Sequence, residues 1–323
     1  MPDDLDHAAV YAIPMRSRFR GIDVREGVLL RGPAGWGEFA PFWDYDPAEC
    51  RPWLASAREA AFKGWPEPVR DRVPVNVTVP AVGPERAAEV VRGSGCATAK
   101  VKVAEPGQTE ADDIARVEAV REALGSAGHV RVDANGAWDV ETAVARLELL
   151  DRAAGGLEYA EQPCASVEDL ASVRRRVDVR IAADESIRRA EDPYRVRDLE
   201  AADIAVLKVA PLGGVRAALE VAERIGLPVV VSSALETSVG IAAGVALAAA
   251  LPELPFACGL ATVALLSADV VAEPLLPVDG ALPVRTTAPV PDPDLLAAME
   301  ADPATAGRWR ERISAVTAVG DHR

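Results

Sequence analysis

The stretch Thr98-Ala-Lys-Val-Lys-Val103 decides how the rest of this chain is organised, because it places two lysines, Lys100 and Lys102, in a short apolar run. In a β-strand, residues two apart point to the same face, so both ammonium groups would project side by side. Burying them is costly unless acidic partners lie opposite. The chain supplies such partners downstream, each at the end of its own apolar run. They are Asp133, Glu161 and Asp184, followed by a third lysine, Lys208.

From Val73 onward, an apolar strand is followed by an amphipathic helix, again and again. Strands that alternate with helices at roughly 25 to 30 residues per unit indicate a parallel sheet. Eight such strands predict an α/β fold in which the sheet closes into a TIM-like barrel. The predicted strands are residues 74–79, 99–103, 130–134, 156–160, 181–184, 204–209, 228–232 and 255–258.

The two ends of the chain lack this repeating pattern. Residues 1–72 combine short strand-like runs, a glycine- and aromatic-rich loop at 35–45, and helical spacing of apolar residues from Pro47 to Phe62. They predict a small α+β capping domain. We therefore expect residues 73–269 to form a (β/α)7β barrel that carries the active site. Residues 270–323 are expected to pack back on the capping domain.

The composition limits the classes of partner. The chain has 323 residues, half of them hydrophobic, and a formal net charge of -15, which argues against a nucleic-acid or anionic-membrane partner. Its most apolar run, residues 241–251, is too short to span a bilayer, and its acidic start does not resemble a secretion signal. The four cysteines form no CxxC pair and are expected to be reduced. We expect a cytoplasmic protein that acts on a small carboxylate, with the oligomeric state left open and a monomer included.

Chemistry in a barrel takes place at the carboxyl ends of the strands, where Asp133, Glu161 and Asp184 fall. Oxygen-only ligands of this kind suit Mg²⁺ or Mn²⁺ rather than Zn²⁺. Lys102 and Lys208 would flank such a cation, which would lower the pKa of a lysine and make it a base. The chain has only three histidines, at positions 7, 129 and 322, so a histidine base is not expected.

Other readings of these residues remain open. A single acid at a strand end is usually a helix cap or a loop acid, and Lys100 and Lys102 would also suit an edge strand, where lysines oppose aggregation. The joint order of lysine, three acids and lysine at successive strand ends favours the active site over those alternatives.

Further candidates for substrate binding lie beside these residues. Ser232 and Ser233 end the seventh predicted strand, where their hydroxyls could bind a carboxylate or cap the next helix. Gly259 ends the eighth strand and offers only backbone N–H groups there. Arg131 and Asn135 flank the first acid and could order ligands or water, or be an outward arginine and a left-handed loop asparagine.

Five short motifs carry a resemblance to a known family. As a set they resemble the enolase superfamily, specifically its muconate-lactonising-enzyme subgroup, over nearly the whole chain. Sites of this superfamily use a lysine or histidine base with Mg²⁺. The motifs are Lys100-Val-Lys102, Asp133-Ala-Asn-Gly-Ala-Trp138, Glu161-Gln-Pro163, Ala183-Asp-Glu-Ser186 and Val206-Leu-Lys208.

The resemblance implies that Lys102 is the general base, that Lys100 contacts the substrate, and that Lys208 lies on the substrate's other face as an electrostatic group. The three acids would bind Mg²⁺. The implied reaction is syn-dehydration of 2-succinyl-6-hydroxy-2,4-cyclohexadiene-1-carboxylate to 2-succinylbenzoate in menaquinone biosynthesis. The alternatives are racemisation of N-succinylamino acids or dipeptide epimerisation by the same two lysines, and a non-catalytic barrel retained for binding.

Overall fold

The computed structural model describes residues 8–189 and 192–320, so His7 and His322 lie outside the described residues. An N-terminal antiparallel sheet precedes a long alternation of strands and helices. The strands are β1 (Ala9–Phe19), β2 (Ile22–Gly32), β3 (Gly35–Phe39), β4 (Arg72–Pro74), β5 (Val77–Val79), β6 (Thr98–Lys102), β7 (His129–Asp133), β8 (Leu157–Glu161), β9 (Ile181–Ala183), β10 (Ile204–Lys208), β11 (Val229–Ser232) and β12 (Ala281–Pro283). The helices are α1 (Arg51–Phe62), α2 (Pro84–Ser94), α3 (Glu110–Leu124), α4 (Val140–Ala154), α5 (Val167–Arg174), α6 (Glu185–Arg188), α7 (Arg195–Asp198), α8 (Val209–Leu212), α9 (Val215–Ile225), α10 (Ser238–Ala250), α11 (Pro293–Ala298) and α12 (Pro303–Gly320).

Seven parallel strands form one curled sheet in the order β11-β10-β9-β8-β7-β6-β5. Two residues close it. Cys258 makes a parallel bridge to Val75, and Gly259 makes one to Ser232. The Gly259 N–H donates to the Val231 carbonyl at 2.8 Å across the second bridge. The predicted TIM-like (β/α)7β barrel is therefore confirmed, with the capping sheet β1-β2-β3 preceding it.

The limits of two predicted strands are wrong. The strand predicted at 74–79 divides, because β4 pairs antiparallel with β12 while β5 pairs with β6 in the barrel. The strand predicted at 255–258 is reduced to the bridging residues Cys258 and Gly259. Pro255 has no N–H to donate to a ladder, so a regular strand cannot include it as a central member.

Several helices begin at a residue whose side chain accepts a hydrogen bond from a free backbone N–H. The Thr109 hydroxyl accepts from the Asp112 N–H to begin α3, and the Ser166 hydroxyl accepts from the Asp169 N–H to begin α5. Gly226 ends α9 with a φ of 66°, a left-handed conformation that suits glycine. Because the seven strands run parallel and close into a ring, their carboxyl ends face a common mouth.

The C-terminal part of the chain contacts both the capping sheet and the barrel. The Ala12 N–H donates to the Met299 carbonyl at 2.8 Å, and the Trp309 ring meets Phe39 edge-on at 5.9 Å. Strand β12 lies instead against β4, at the start of the barrel. The residue limits of the three predicted domains remain a prediction.

The longest apolar run proves to be a helix of the barrel. Helix α10 is buried along almost its whole length. Among the residues described, no helix combines the length and apolarity needed to cross a membrane. The four cysteines are buried and free.

Candidate active site

The predicted lysines and acids lie at the carboxyl ends of neighbouring strands. Lys102 ends β6, Asp133 ends β7, Glu161 ends β8, Asp184 follows β9, and Lys208 ends β10. The seven strands and the Cys258–Gly259 closure make a ring of eight positions, in which β6 and β10 are four apart. The two lysines therefore face each other across the mouth, with the three acids on the arc between them.

One half of the site is an ion-pair network around Asp133. Lys102 Nζ donates to Asp133 Oδ2 at 2.6 Å and to Asn135 Oδ1 at 2.7 Å. Lys100 Nζ lies 3.1 Å from the same Asp133 oxygen and donates to both oxygens of Glu161 at 2.7 and 2.8 Å. One ammonium thus holds two carboxylates together, which offsets the cost of burying all three groups.

The other half is centred on Asp184, which is fully buried. Lys208 Nζ donates to Asp184 Oδ2 at 2.6 Å, and Arg188 Nε donates to Oδ1 at 2.9 Å. Arg188 also donates to Glu185 Oε1 at 2.5 Å. Asn135 Nδ2 donates to that Glu185 oxygen at 3.2 Å, so a continuous chain of polar contacts joins the two halves.

Burial and neighbouring charge shift the pKa values of these groups. Burial, reinforced by the Asp133 charge, raises the pKa of Glu161 to about 7. Burial also opposes ionisation of Asp133, but Lys102 and Lys100 outweigh it and hold the Asp133 pKa well below its usual range. Burial lowers the pKa of Lys208, and its partner carboxylate offsets this in part. Burial likewise opposes the charged form of Lys100, but Glu161 and Asp133 raise its pKa well above the usual value.

Gln162 orders the loops that carry the acids, a role that sequence reasoning missed. Its backbone is left-handed, with a φ of 41°. Its Oε1 accepts from the Asp184 N–H at 2.9 Å, and its Nε2 donates to the Ser186 hydroxyl at 2.7 Å. The amide therefore joins the end of β8 to the end of β9. The Glu161-Gln-Pro163 motif was the available signal.

A pocket of about 470 Å³ opens above this network. The capping domain supplies part of its wall through Phe19, Arg20 and Phe42, none of which was predicted as a site residue. Only Phe42 lay in a segment singled out in the sequence, the aromatic-rich loop at 35–45. The predicted residues that line the pocket are Lys100, Lys102, Asp133, Asn135, Lys208, Ser232, Ser233 and Gly259.

Ser232, Ser233 and Gly259 lie together on the side of the pocket where the barrel closes. The Ser233 hydroxyl is 2.6 Å from the Thr262 hydroxyl. A Cβ at Gly259 would lie 2.7 Å from Ser232 Oγ, so a side chain at this position would force the Ser232 hydroxyl to move. The Gly259 N–H itself donates to the Val231 carbonyl within the barrel, and the role of this strand end in substrate binding remains a prediction.

Arg131 does not lie at the pocket, in contrast to the prediction. It is completely buried inside the barrel, where Nη1 donates to Asn76 Oδ1 at 2.9 Å and to the Ala257 carbonyl at 2.7 Å, and Nε donates to Glu158 at 2.5 Å. Its guanidinium stacks on Tyr159, with 4.6 Å between Cζ and the ring centroid. Because residues two apart share a face, Arg131 points inward like Asp133 but one layer deeper.

The donor set fits a divalent cation by its chemistry, since the acids at these strand ends offer only carboxylate oxygens, with no histidine or cysteine among them. Two of them, Asp133 and Glu161, already share one cation, the Lys100 ammonium. Across residues 8–189 and 192–320, no three acidic, histidine or cysteine side chains converge into a group that could hold a metal ion. Each carboxylate is instead turned toward a lysine or an arginine.

A capped barrel with opposed lysines and three acids at its mouth defines an enzyme of the enolase type. Residues 10–61 match the Enolase N-terminal domain-like family and residues 84–289 match the Enolase C-terminal domain-like family. The fold is similar to that of muconate lactonizing enzyme from Pseudomonas fluorescens, with a TM-score of 0.78 and 23% identity over 91% of this chain and 98% of that chain.

Two relatives are much closer in sequence. The chain is 68% identical over 308 residues to o-succinylbenzoate synthase from Thermobifida fusca, which covers 95% of each chain. It is 58% identical over 320 residues to o-succinylbenzoate synthase from Mycolicibacterium smegmatis, covering 99% of this chain and 98% of that one. The chain therefore belongs to the enolase superfamily and, within it, to the family of o-succinylbenzoate synthases. It is accordingly an enzyme of the lyase class, as the sequence predicted.

Proposed function

We propose that this chain catalyses the Mg²⁺-dependent syn-dehydration of 2-succinyl-6-hydroxy-2,4-cyclohexadiene-1-carboxylate to 2-succinylbenzoate, a step of menaquinone biosynthesis. The observation that carries the proposal is the placement of Lys102 and Lys208 on opposite sides of one pocket, with three acids between them. The names of the close relatives support the choice of reaction.

Lys102 is the proposed base. Asp133 and Asn135 each accept a hydrogen bond from its Nζ and so fix where the amine points. In its neutral form it takes the proton α to the ring carboxylate, and the resulting ammonium then gives a proton to the hydroxyl that leaves from the same face. One C–H bond and one C–O bond break, water departs, and the ring becomes aromatic.

Lys208 is proposed to act through its charge. It lies opposite Lys102 and is held by Asp184 at 2.6 Å. An ammonium in this position stabilises the negative charge that develops on the substrate carboxylate and can also face the ring. Lys100, which borders the same pocket, is proposed to contact the substrate carboxylate.

Asp133, Glu161 and Asp184 are the residues proposed to hold Mg²⁺, with Mn²⁺ as the alternative ion. A bound divalent cation would polarise the substrate carboxylate and make its α-proton more acidic. The mouth holds these three acids and Glu185 against three lysines and Arg188. A divalent cation and a substrate with two carboxylates would preserve that balance.

The second substrate carboxylate, on the succinyl group, has three candidate partners. Ser232 and Ser233 border the pocket at the barrel closure, and Arg20 borders it from the capping domain. The Arg20 guanidinium lies 3.9 Å over the Phe42 ring, so its position at the rim is supported by stacking. We propose that these groups bind and orient the succinyl chain.

The test is turnover of the hydroxycyclohexadiene carboxylate, followed by its absorbance loss with and without Mg²⁺. An N-succinylamino acid is incubated in D₂O in parallel, and Lys102→Ala serves as the control. Fast Mg²⁺-dependent loss without α-deuteration of the amino acid supports the proposal. Dehydration that is absent, or independent of divalent cations, contradicts it.

A second candidate function is racemisation of N-succinylamino acids or dipeptide epimerisation. The observation in its favour is the opposed pair of lysines, since a two-base racemase needs one base on each face of the substrate. Deuteration of both stereoisomers in the same D₂O experiment, with slow dehydration, would select this alternative.

A further inference from the structure

Arg312, on the C-terminal helix α12, binds a segment of the capping domain that was not linked to the helix by any sequence pattern. Its guanidinium is buried and donates to the carbonyls of Pro41 at 3.1 Å, Phe42 at 2.6 Å and Tyr45 at 2.9 Å. One Nη also lies 3.2 Å from the sulfur of Cys50. We call residues 41–45 the cap segment.

The cap segment needs such a partner because it lies between strand β3 and helix α1, outside both elements. Backbone carbonyls buried outside regular structure must find donors elsewhere. A planar guanidinium carries five N–H donors in a fixed arrangement, so a single arginine can serve three carbonyls at once. A lysine, with its compact ammonium, cannot span the same set.

Both ends of the cap segment reach the candidate active site. The Phe42 side chain lines the substrate pocket. The Tyr45 hydroxyl accepts a hydrogen bond from Arg188, whose Nε donates to Asp184 Oδ1 at 2.9 Å. By fixing this backbone, Arg312 therefore influences the position of Phe42 in the pocket wall. Through Tyr45 and Arg188 it also influences the proposed metal ligand Asp184.

Residues of helix α12 also contact the solvent-facing side of the cap segment. The Trp43 and Trp309 rings lie 4.8 Å apart, and both indole N–H groups donate to Glu26 Oε2 at 3.0 Å. The Arg312 guanidinium also lies 4.6 Å over the Trp43 ring. Trp43 is 47% exposed, so these contacts keep an otherwise solvent-facing residue in place.

We propose that Arg312 is a positioning residue for the reaction, through which the C-terminal helix sets the position of Phe42 in the substrate pocket and, by way of Tyr45 and Arg188, the orientation of Asp184. The proposal rests on the function proposed above. A residue that only stabilised the fold would change the unfolding temperature and leave substrate and metal affinities unaltered.

The test compares Arg312→Met and Arg312→Lys with Arg310→Met, a matched control at an exposed position on the same helix. KM and kcat for the dehydration are measured at saturating Mg²⁺ and at a temperature where all variants are folded. Mg²⁺ affinity is measured by calorimetry without substrate. Arg312→Met is expected to raise KM and the Mg²⁺ Kd by about tenfold or more. The reason is that losing several hydrogen bonds from a charged group costs at least as much free energy as a tenfold change in affinity.

Arg312→Lys is expected to recover part of both losses, and Arg310→Met to match the wild type. If Arg312→Met lowers only the unfolding temperature, and both affinities stay within twofold of the control, the proposal is overturned.

Tyr45→Phe keeps the test decisive if the arginine variants do not fold, because it removes only the hydroxyl that accepts from Arg188. A weaker Mg²⁺ affinity in this variant supports the proposal, and an unchanged one refutes the connection to Asp184. Failure of the proposed function would be seen separately, as absence of dehydration by the wild type, while the calorimetric comparison would still test Arg312.

Discussion

Glu38 joins the capping domain to the barrel, and its replacement by glutamine should change how stability depends on pH. The residue lies in β3 and is buried. It accepts hydrogen bonds from the Tyr11 hydroxyl at 2.6 Å, from the Thr237 N–H at 3.2 Å and from the Gly240 N–H at 3.0 Å. The last two groups belong to the beginning of α10, so the carboxyl group caps a barrel helix from the capping domain.

Burial raises the pKa of Glu38 to about 7, from an ordinary value of 4.5, although the donors Thr237 and Tyr11 oppose the shift. Glu236 adds to the rise and Arg25 reduces it. Between the two pKa values the native state holds a proton that the unfolded chain has lost, so the free energy of unfolding falls as pH rises. A shift of about 2.5 units at about 1.36 kcal/mol per unit corresponds to roughly 3 kcal/mol. This stabilisation is complete below pH 4.5 and is lost as pH rises through 7.

The assay is urea unfolding of the wild type and Glu38→Gln at pH 5, 6, 7 and 8. The variant cannot titrate at this position. The difference in free energy of unfolding between wild type and variant is therefore plotted against pH, and any cost of the substitution that does not depend on pH cancels. We expect the wild type to lose about 2.5 kcal/mol relative to Glu38→Gln between pH 5 and pH 8. Glu220→Gln, at an exposed position on α9, should show a flat difference. A flat difference for Glu38→Gln as well would refute the reasoning.

Three further predictions concern the lysines. Lys102→Ala should reduce turnover by about 10²-fold or more while leaving Mg²⁺ binding nearly intact, measured by steady-state kinetics and calorimetry; an active variant would rule out Lys102 as the base. Lys208→Ala should abolish any racemisation but leave exchange of the α-proton of the dehydration substrate by Lys102 in D₂O, measured by NMR; loss of all exchange would favour a two-base mechanism. Lys100→Met leaves Asp133 and Glu161 without a shared ammonium and should lower the free energy of unfolding by about 3 to 5 kcal/mol, measured by urea titration. A loss below about 1 kcal/mol would show that the contacts of Lys100 with these two carboxylates are not stabilising.

The site residues at the strand ends could be predicted because their positions depend on local pattern. Lys100 and Lys102 share a face through the two-residue period of a strand, and both border the pocket. Arg131 shares a face with Asp133 by the same rule, but the rule gives no depth, and the structure puts Arg131 a layer below the mouth, bonded to Asn76. The period of a strand reports the face of a residue, whereas its height in the barrel depends on the stagger of neighbouring strands.

Local chemistry thus dictated the alternation of strands and helices and the charged residues near the carboxyl ends of β6 to β10, since these follow from patterns a few residues long. Folding decided the rest. Closure through Cys258 and Gly259, the pairing of the acids with the lysines and Arg188, and the cap residues over the pocket required the whole chain. These features depend on the tertiary structure because they are contacts between residues far apart in the chain. Arg312 and Phe42, for example, are 270 positions apart and meet only when the barrel has packed.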